Sequence, residues 1–310
     1  MTLGEAEAAT PLEASPRPPR VDLVSVIVPH LNDYENLDVC LTMLGAQSFP
    51  PDRTEIIIAD NGSSIGPEAV RRIVGTRGRV VEVPESGAGP ARNAGVRASR
   101  GDALAFIDSD CRPDRRWLEE GLAALQSADF VGGRVDVLVM DPRRMTAAEA
   151  FESVFAFRNE HYVRDRNFTV TASMFVWRSV FDAVGGFHNG VPEDLDWCLR
   201  ARRCGYRIAF APNSIVGHPA RRTMNDLKRK WRRLTLEWCE AARRDRRGAI
   251  FMLLHAWAVL LSIGPHALAV LTSRRVSGTR NRIIAIGALA RIRTYRFLLA
   301  HRTIFRLPET

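Results

Sequence analysis

Short apolar, β-branched runs alternate with helical stretches along the first third of this chain, and they repeatedly end in acidic or small polar residues. Leu23-Val24-Ser25-Val26-Ile27-Val28 closes at Pro29. Glu55-Ile56-Ile57-Ile58-Ala59 leads into Asp60-Asn61-Gly62-Ser63-Ser64, Arg79 to Val83 forms a third run, and Ala103-Leu104-Ala105-Phe106-Ile107 ends at Asp108-Ser109-Asp110. Between them Leu37, Cys40, Leu41 and Leu44 recur at helical spacing, and Ala69–Val74 and Ala91–Ser99 also read as helices. Strands apolar on both faces belong to a parallel sheet covered by helices on both sides. In such a sheet ligands bind beyond the carboxyl ends of the strands. Asp60 and the Asp108/Asp110 pair are therefore expected at one edge, though far apart in sequence.

Past Asp110 the alternation weakens. The spacing predicts a helix over Trp117–Ser127, a strand over Val131–Val139 and one helix over Thr146–His161. A strand over Val170–Val176 leads into a short helix ending at Gly185-Gly186. Leu195–Cys204 is a helix stopped by Gly205, Arg207–Ala211 is a last strand, and Gly217-His218-Pro219 closes the domain. Met1 to Arg20 has no apolar core, carries Glu5, Glu7 and Glu13 among several prolines, and reads as a disordered tail rather than a signal peptide. The expected organisation is a tail over 1–20, an α/β domain over 21–220 and a basic, apolar helical region over 221–310.

Charge and cysteines narrow the function classes. The net charge is +9, which favours polyanionic partners. The excess is concentrated between Lys228 and Arg247, whereas acids gather at the strand ends, where they would repel a nucleic-acid backbone. No nucleic-acid partner is expected. The five cysteines are scattered without a CxxC pair, which disfavours a disulfide framework or a zinc site. From Gly248 to Ser273 no formal charge occurs, a run longer than the ~20 residues that cross a bilayer core. Both flanks are basic and Gly264-Pro265 interrupts the middle, so a bent or re-entrant segment with both ends in the cytosol fits better than a single span. Arg282–Phe305 mixes arginine with apolar residues like an interfacial amphipathic helix. The expected membrane-binding region is 228–305.

Four sites carry chemistry. Asp108-Ser109-Asp110 offers two carboxylates just past a strand, suited to Mg²⁺ or Mn²⁺. Glu193-Asp194-Leu195-Asp196 opens a helix, where acids either cap the helix or include a general base. Gly87-Ala88-Gly89-Pro90-Ala91-Arg92-Asn93 imitates a dinucleotide loop, but Arg92 stands where glycine is required and the loop does not follow the first strand. A glycine loop opening a helix still suits a diphosphate. His218 matters only if it lies near the Asp108/Asp110 pair, where imidazole completes a Mn²⁺ shell.

In order along the chain these pieces resemble glycosyltransferase family 2, inverting enzymes of the GT-A fold. The resemblance runs from about Val24 to His218: the opening strand to Pro29 with Asn32, Glu55 to Ser63, Gly89 to Gly95, Gly101-Asp102 into Phe106 to Asp110, Val184 to Phe187, then Glu193 to Asp196 with Arg200, Gly205 and Tyr206. It implies a Rossmann-like, mostly parallel sheet with flanking helices. It also implies that Asp60 bonds the nucleobase and that Pro29 and Asn32 line that pocket. Gly89 and Arg92 would lie near base and phosphate, with Asp108 on the ribose side. Asp110 and His218 would hold the metal, and Asp194 would be the base.

The implied activity is transfer of one sugar from a nucleotide-sugar donor, UDP-linked by default, to a glycan or lipid-linked acceptor. Cell-envelope or exopolysaccharide synthesis at the cytoplasmic face of the membrane is the implied setting. A Gln-x-x-Arg-Trp motif of processive synthases is absent, so repeated addition is disfavoured. His188-Asn189-Gly190 stands where relatives often place an acid. The alternatives are a catalytically altered nucleotide-sugar-binding homologue and, weakened by Arg92, a dinucleotide oxidoreductase.

Overall fold

The computed structural model of the chain describes residues 20–244 and 248–305. The expected tail up to residue 19, and Arg246 and Arg247 of the basic run, lie outside the described residues. In chain order the elements are β1 (Val24–His30), α1 (Tyr34–Gly45), β2 (Thr54–Asp60), α2 (Pro67–Val74), β3 (Arg79–Glu82), α3 (Ala88–Ala98), β4 (Ala103–Phe106), β5 (Arg112–Pro113), α4 (Trp117–Leu125), β6 (Phe130–Leu138), α5 (Ala147–Phe155), α6 (Asn159–Arg166), β7 (Met174–Trp177), α7 (Arg178–Val184), α8 (Glu193–Arg203) and β8 (Ile208–Pro219). Four helices follow: α9 (Met224–Arg244), α10 (Ala249–Leu261), α11 (Ile263–Thr272) and α12 (Thr279–Phe305).

The chain forms two compact units. The first holds the sequence up to Asp136 with Arg158–Asn189 and Glu193–His218. Its sheet has the order β3-β2-β1-β4-β7-β6-β8-β5. β1 pairs in parallel with β2 and β4, and β2 with β3, while β7 runs antiparallel to β4 and β6. The fold is the expected GT-A-like one: a mixed, largely parallel sheet between helices. β1 is buried almost throughout, as its unbroken apolar run requires. α1 buries Leu37, Cys40, Leu41 and Leu44, the residues whose spacing predicted the helix. The parallel register sets His30 beside Asp60 at the carboxyl edge.

The second unit holds Val137–Phe157, Gly190–Pro192 and Pro219 onward. Thr146 and Glu149 form a reciprocal capping box at the start of α5. Ala148 and Phe151 of α5 then pack with Leu227 of α9 and with Ala288, Leu289 and Ile292 of α12. At the centre of this unit Glu152 is buried and accepts hydrogen bonds from Arg221 Nη1 at 2.9 Å and Lys230 Nζ at 3.0 Å. Burial alone would push its carboxyl up, but the two cations hold it below the usual range.

Two expected helices divide. The run Thr146–His161 breaks at Phe157, which adopts a left-handed φ of 47°, and α5 and α6 serve different units. One apolar periodicity was shared by two helices facing different cores. The uncharged run becomes α10 and α11, parted at Ser262 rather than at Gly264-Pro265. Pro265 sits in the first turn of α11, where amides have no helical acceptor and proline costs little. Ala249–Thr272 is long and apolar enough to cross a membrane, yet only 11% of its most apolar window is buried. Met252, Ala256 and Val259 face the unit, whereas Ile250, Leu254, Trp257 and Leu261 form an exposed stripe.

α4 packs tightly against β7 inside the first unit. A Cβ added at Gly121 would lie 2.2 Å from Phe175 Cζ, and both residues are buried. Gly121→Ala gains helix propensity but must displace a core ring, so we expect a net loss of about 1–3 kcal/mol in denaturant unfolding. A stabilised variant would show that the ring moves freely.

Candidate active site

Two strand ends build one side of the site. His30 closes β1 and Asp60 closes β2, and both side chains are buried. His30 Nδ1 lies 3.0 Å from Asp60 Oδ1, which also accepts from Ser63 Oγ at 2.5 Å. Asp60 Oδ2 takes only the Ser63 amide, at 3.3 Å. The other ring nitrogen of His30, Nε2, is buried and has no partner among the described residues. Asn32 adopts a left-handed φ of 57°. Its Oδ1 accepts from the Ser64 amide at 2.7 Å and from Tyr34 Oη at 2.8 Å, tying β1's exit to the loop after β2. Pro29 sits in β1 opposite Ala59.

The end of β4 brings Asp108 and Asp110 to the same edge. The end of β8 brings His218, whose Nε2 lies 3.5 Å from Asp110 Oδ2. Ligand atoms of Asp108, Asp110, Cys111 and His218 all fall within 4.8 Å of one another. The donor set suits a hard divalent ion: two carboxylates and one imidazole, with Asp108 and Asp110 partly open. Cys111 adds little, because burial and then the adjacent carboxylates push its thiol well above the ordinary range and keep it protonated.

α3 holds the two acidic segments together. Arg92 is 4% exposed. Its Nη2 donates to Asp108 Oδ1 at 2.7 Å and its Nη1 to Glu193 Oε1 at 2.8 Å. Arg92 therefore spans the two clusters through its Nη atoms, while its buried Nε has no partner among the described residues. Asn93 pins the chain between them: its Nδ2 donates to Phe187 O and its Oδ1 accepts from Phe187 N, both at 2.8 Å. Gly89 is what permits this approach, since a Cβ there would meet His188 O at 3.2 Å.

Asp194 and Asp196 lie in the first turn of α8, which starts two residues before the predicted boundary. Asp194 Oδ1 accepts from the Leu195 amide at 2.8 Å, so it satisfies one unpaired helix donor as the capping reading requires. Burial, reinforced by Glu193, nevertheless pushes its carboxyl up to about 6. Asp196 is held by Arg200 Nε at 2.9 Å and His188 Nδ1 at 3.0 Å. Arg200 also donates to Val184 O and Gly186 O, bolting α8 to the turn after α7.

The residues singled out from sequence thus gather at one edge. Sequence reasoning missed His30, and it noted His188 only as standing where relatives often place an acid, not as a partner of Asp196. His30 becomes visible once β1 and β2 are paired in parallel, because the register then puts it beside Asp60. The pairing of His188 had no local signal.

A family-wide sequence model for glycosyl transferase family 2 matches residues 25–185. Glycosyltransferase AglE of Haloferax volcanii is 35% identical over 217 residues, covering 67% of this chain and 71% of that protein. Among solved structures, the mannosyltransferase PcManGT from Pyrobaculum calidifontis, in complex with GDP-Man and Mn²⁺, superposes with a TM-score of 0.60 at 20% identity, covering 96% of this chain and 92% of that one. TarS of S. aureus, in complex with UDP-GlcNAc, superposes at 0.50 and 17% identity, covering 69% and 66%.

Arg92→Met leaves Asp108 and Glu193 facing each other without a cation. Both carboxylates are partly open to water, so the expected loss is about 1–3 kcal/mol, below the ~3–5 of a fully buried pair. Arg92→Lys keeps the charge but reaches one carboxylate at a time, and should recover part of it. Equal stability of all three proteins in chemical denaturation would show that the bridge holds nothing.

Proposed function

This chain belongs to glycosyl transferase family 2, and from that premise we propose that it moves one sugar, with inversion, from a nucleoside-diphosphate donor to a hydroxyl of a glycan or lipid-linked acceptor. The observation that carries this reading is the Arg92 bridge, which ties a donor-side carboxylate to the helix that carries Asp194. In our reading residues 21–220 hold the catalytic machinery. Asp60, with Oδ2 less engaged than Oδ1, accepts from the nucleobase, and Pro29 and Asn32 shape that pocket. Gly89 keeps the loop close to the diphosphate, Arg92 positions the carboxylates, and Asp108 faces the ribose.

Asp110 and His218 fit Mn²⁺ or Mg²⁺, which when bound supplies positive charge for the departing diphosphate as a Lewis acid. Asp194 takes the proton from the acceptor hydroxyl. The freed oxygen pair attacks the anomeric carbon from the face opposite the diphosphate, and the carbon–oxygen bond to the diphosphate breaks. A carboxyl raised to about 6 accepts a proton more readily than an ordinary aspartate while remaining mostly ionised near neutrality. UDP-sugars are the first donors to test. The exposed stripe on α10 and its basic flanks support association with the cytoplasmic face of a membrane, both ends cytosolic, in cell-envelope or exopolysaccharide synthesis.

Two variants test this assignment. Asp110→Ala should abolish Mn²⁺-dependent binding of UDP or GDP without lowering the melting temperature; unchanged affinity by calorimetry would remove the metal role. Asp194→Asn keeps the shape but cannot take the proton, so turnover should fall on the order of 10² to 10⁴ with donor affinity preserved. In the unaltered enzyme kcat/KM should rise with pH through about 6, as Asp194 ionises.

Stability separates the base from a mere cap. The folded pKa of Asp194 lies above the ordinary aspartate value of 3.8, so its stabilising contribution is present below about 4 and lost as pH rises through about 6. Asp194→Asn should therefore equal or exceed the parent in stability at neutral pH. A variant less stable at that pH, with turnover per folded molecule intact, would leave only the capping role.

A further inference from the structure

In the second unit α9, α10 and α12 enclose a group of hydrogen-bond donors with no acid among them. Arg293 and Arg296 lie one turn apart on α12, and both are half-buried. Among the described residues no carboxylate lies within salt-bridge distance of either. Arg293 Nε is buried and has no hydrogen-bond partner. Arg296 stacks over the Trp231 ring of α9, 4.3 Å from its centroid, and its Nε reaches only Thr235 Oγ1, at 3.3 Å. Trp231 Nε1 is a second buried donor without a partner. His255 of α10 stacks on Trp238 of α9 with centroids 4.1 Å apart, closing the group from the third helix.

This arrangement works against the fold as it stands. Two like charges one helical turn apart repel, and buried charges are ordinarily paired. Burial lowers the pKa of Arg293, and burial with the neighbouring Arg293 brings Arg296 down to about 10. The same unit shows how a buried charge is normally satisfied: Glu152 has both Arg221 and Lys230. The two guanidiniums differ from that pattern in lacking a carboxylate partner among the described residues, and Arg293 Nε lacks any acceptor there. Side chains offering only donors, in guanidinium forks that match oxyanions, select an anion over a neutral ligand, and a phosphoryl group gives several forks more acceptor oxygens to share than a carboxylate does. They also sit in the helical group whose α10 carries the exposed stripe Ile250, Leu254, Trp257 and Leu261.

We propose that Arg293, Arg296 and Trp231 Nε1 form a second anion site, separate from the candidate active site and specific for a phosphoryl group. The ligand is a lipid phosphate headgroup or a free phosphate, chemically the same group. The site needs no divalent metal, because its charges are already positive.

The test compares the full chain with Arg293→Met/Arg296→Met and with a charge-matched control, Arg274→Met/Arg291→Met, in which both exposed arginines belong to the same unit. Two probes are titrated without divalent metal: inorganic phosphate by calorimetry, and phosphatidylcholine vesicles with and without phosphatidic acid by flotation. The site variant should lose about tenfold or more in affinity for at least one probe, and the control should lose clearly less. Loss confined to phosphate identifies a free anion, loss confined to phosphatidic acid vesicles identifies a headgroup, and either supports the site.

The melting midpoint of the site variant should not fall below the parent's, since removing unpaired buried charges relieves repulsion. Arg293→Gln alone, which leaves the Arg296–Trp231 stack intact, provides the same reading if the double variant does not fold. Equal losses in site variant and control, no loss in either, or no binding by the parent chain would overturn the proposal. Glycosyl transfer to a soluble acceptor should be unchanged, so failure here leaves the catalytic assignment standing.

Discussion

The ion bridge from Asp108 through Arg92 to Glu193 is the constraint on which the site's geometry depends. Asp108 follows a strand near the centre of the sheet, whereas Glu193 opens a helix much later in the chain. Nothing in the sheet ladder itself relates them. A planar guanidinium with two forks can satisfy both at once, which an ammonium cannot. Its burial makes the bridge demanding, because a misplaced partner would leave a charge without solvent or counter-ion. Asn93 extends the same device by capturing both backbone groups of Phe187, and Gly89 provides the room. The short stretch from Gly89 to Asn93 thus acts as a jig for two acidic segments that approach from different parts of the fold.

This explains why the stretch looked ambiguous in the sequence. Its glycines and helix-opening position imitate a phosphate loop, and only the arginine argued otherwise. The fold class itself was readable, because a parallel sheet covered on both faces demands continuous apolar runs, and β1, β2 and β4 supply them. The convergence of Asp60 with Asp108 and Asp110 followed from the strand-end rule alone. The proximity of Asp110 and His218 did not. It depends on β8, a strand antiparallel to β5 that carries His218 back to the DxD turn, and antiparallel pairing in the later half of the chain leaves no local mark. The pairing of His188 with Asp196 was likewise invisible, since that contact exists only after the turn following α7 is fixed by Arg200 and Asn93.

The boundaries that sequence periodicity misplaced have one cause. A helical period reports that some face is apolar, not which core it meets. Thr146–His161 kept its period across Phe157 while passing from one unit to the other. The apolar run after Gly248, with basic flanks and Gly264-Pro265 in its middle, fits a bent or re-entrant segment by sequence. In the structure one stripe of α10 packs onto its own unit and the opposite stripe is bare, a pattern that suits a helix lying in an interface better than one surrounded by lipid.

The two units treat charge in opposite ways, and the contrast bears on how the site works. At the strand edge Asp108, Glu193 and Asp194 gather around buried Arg92, while Asp196 is held by Arg200. Burial and repulsion from Glu193 lift Asp194 toward 6, so Arg92 does not offset all the negative charge beside it. A surplus of this kind costs stability at neutral pH and is retained where a positive partner arrives with the ligand. A divalent ion accompanying a nucleoside diphosphate answers that description, while a bare diphosphate would meet repulsion. The metal would therefore act before chemistry as well as during it, by making an acidic edge habitable for a polyanion, and donor affinity should depend on the ion even in a variant that cannot turn over.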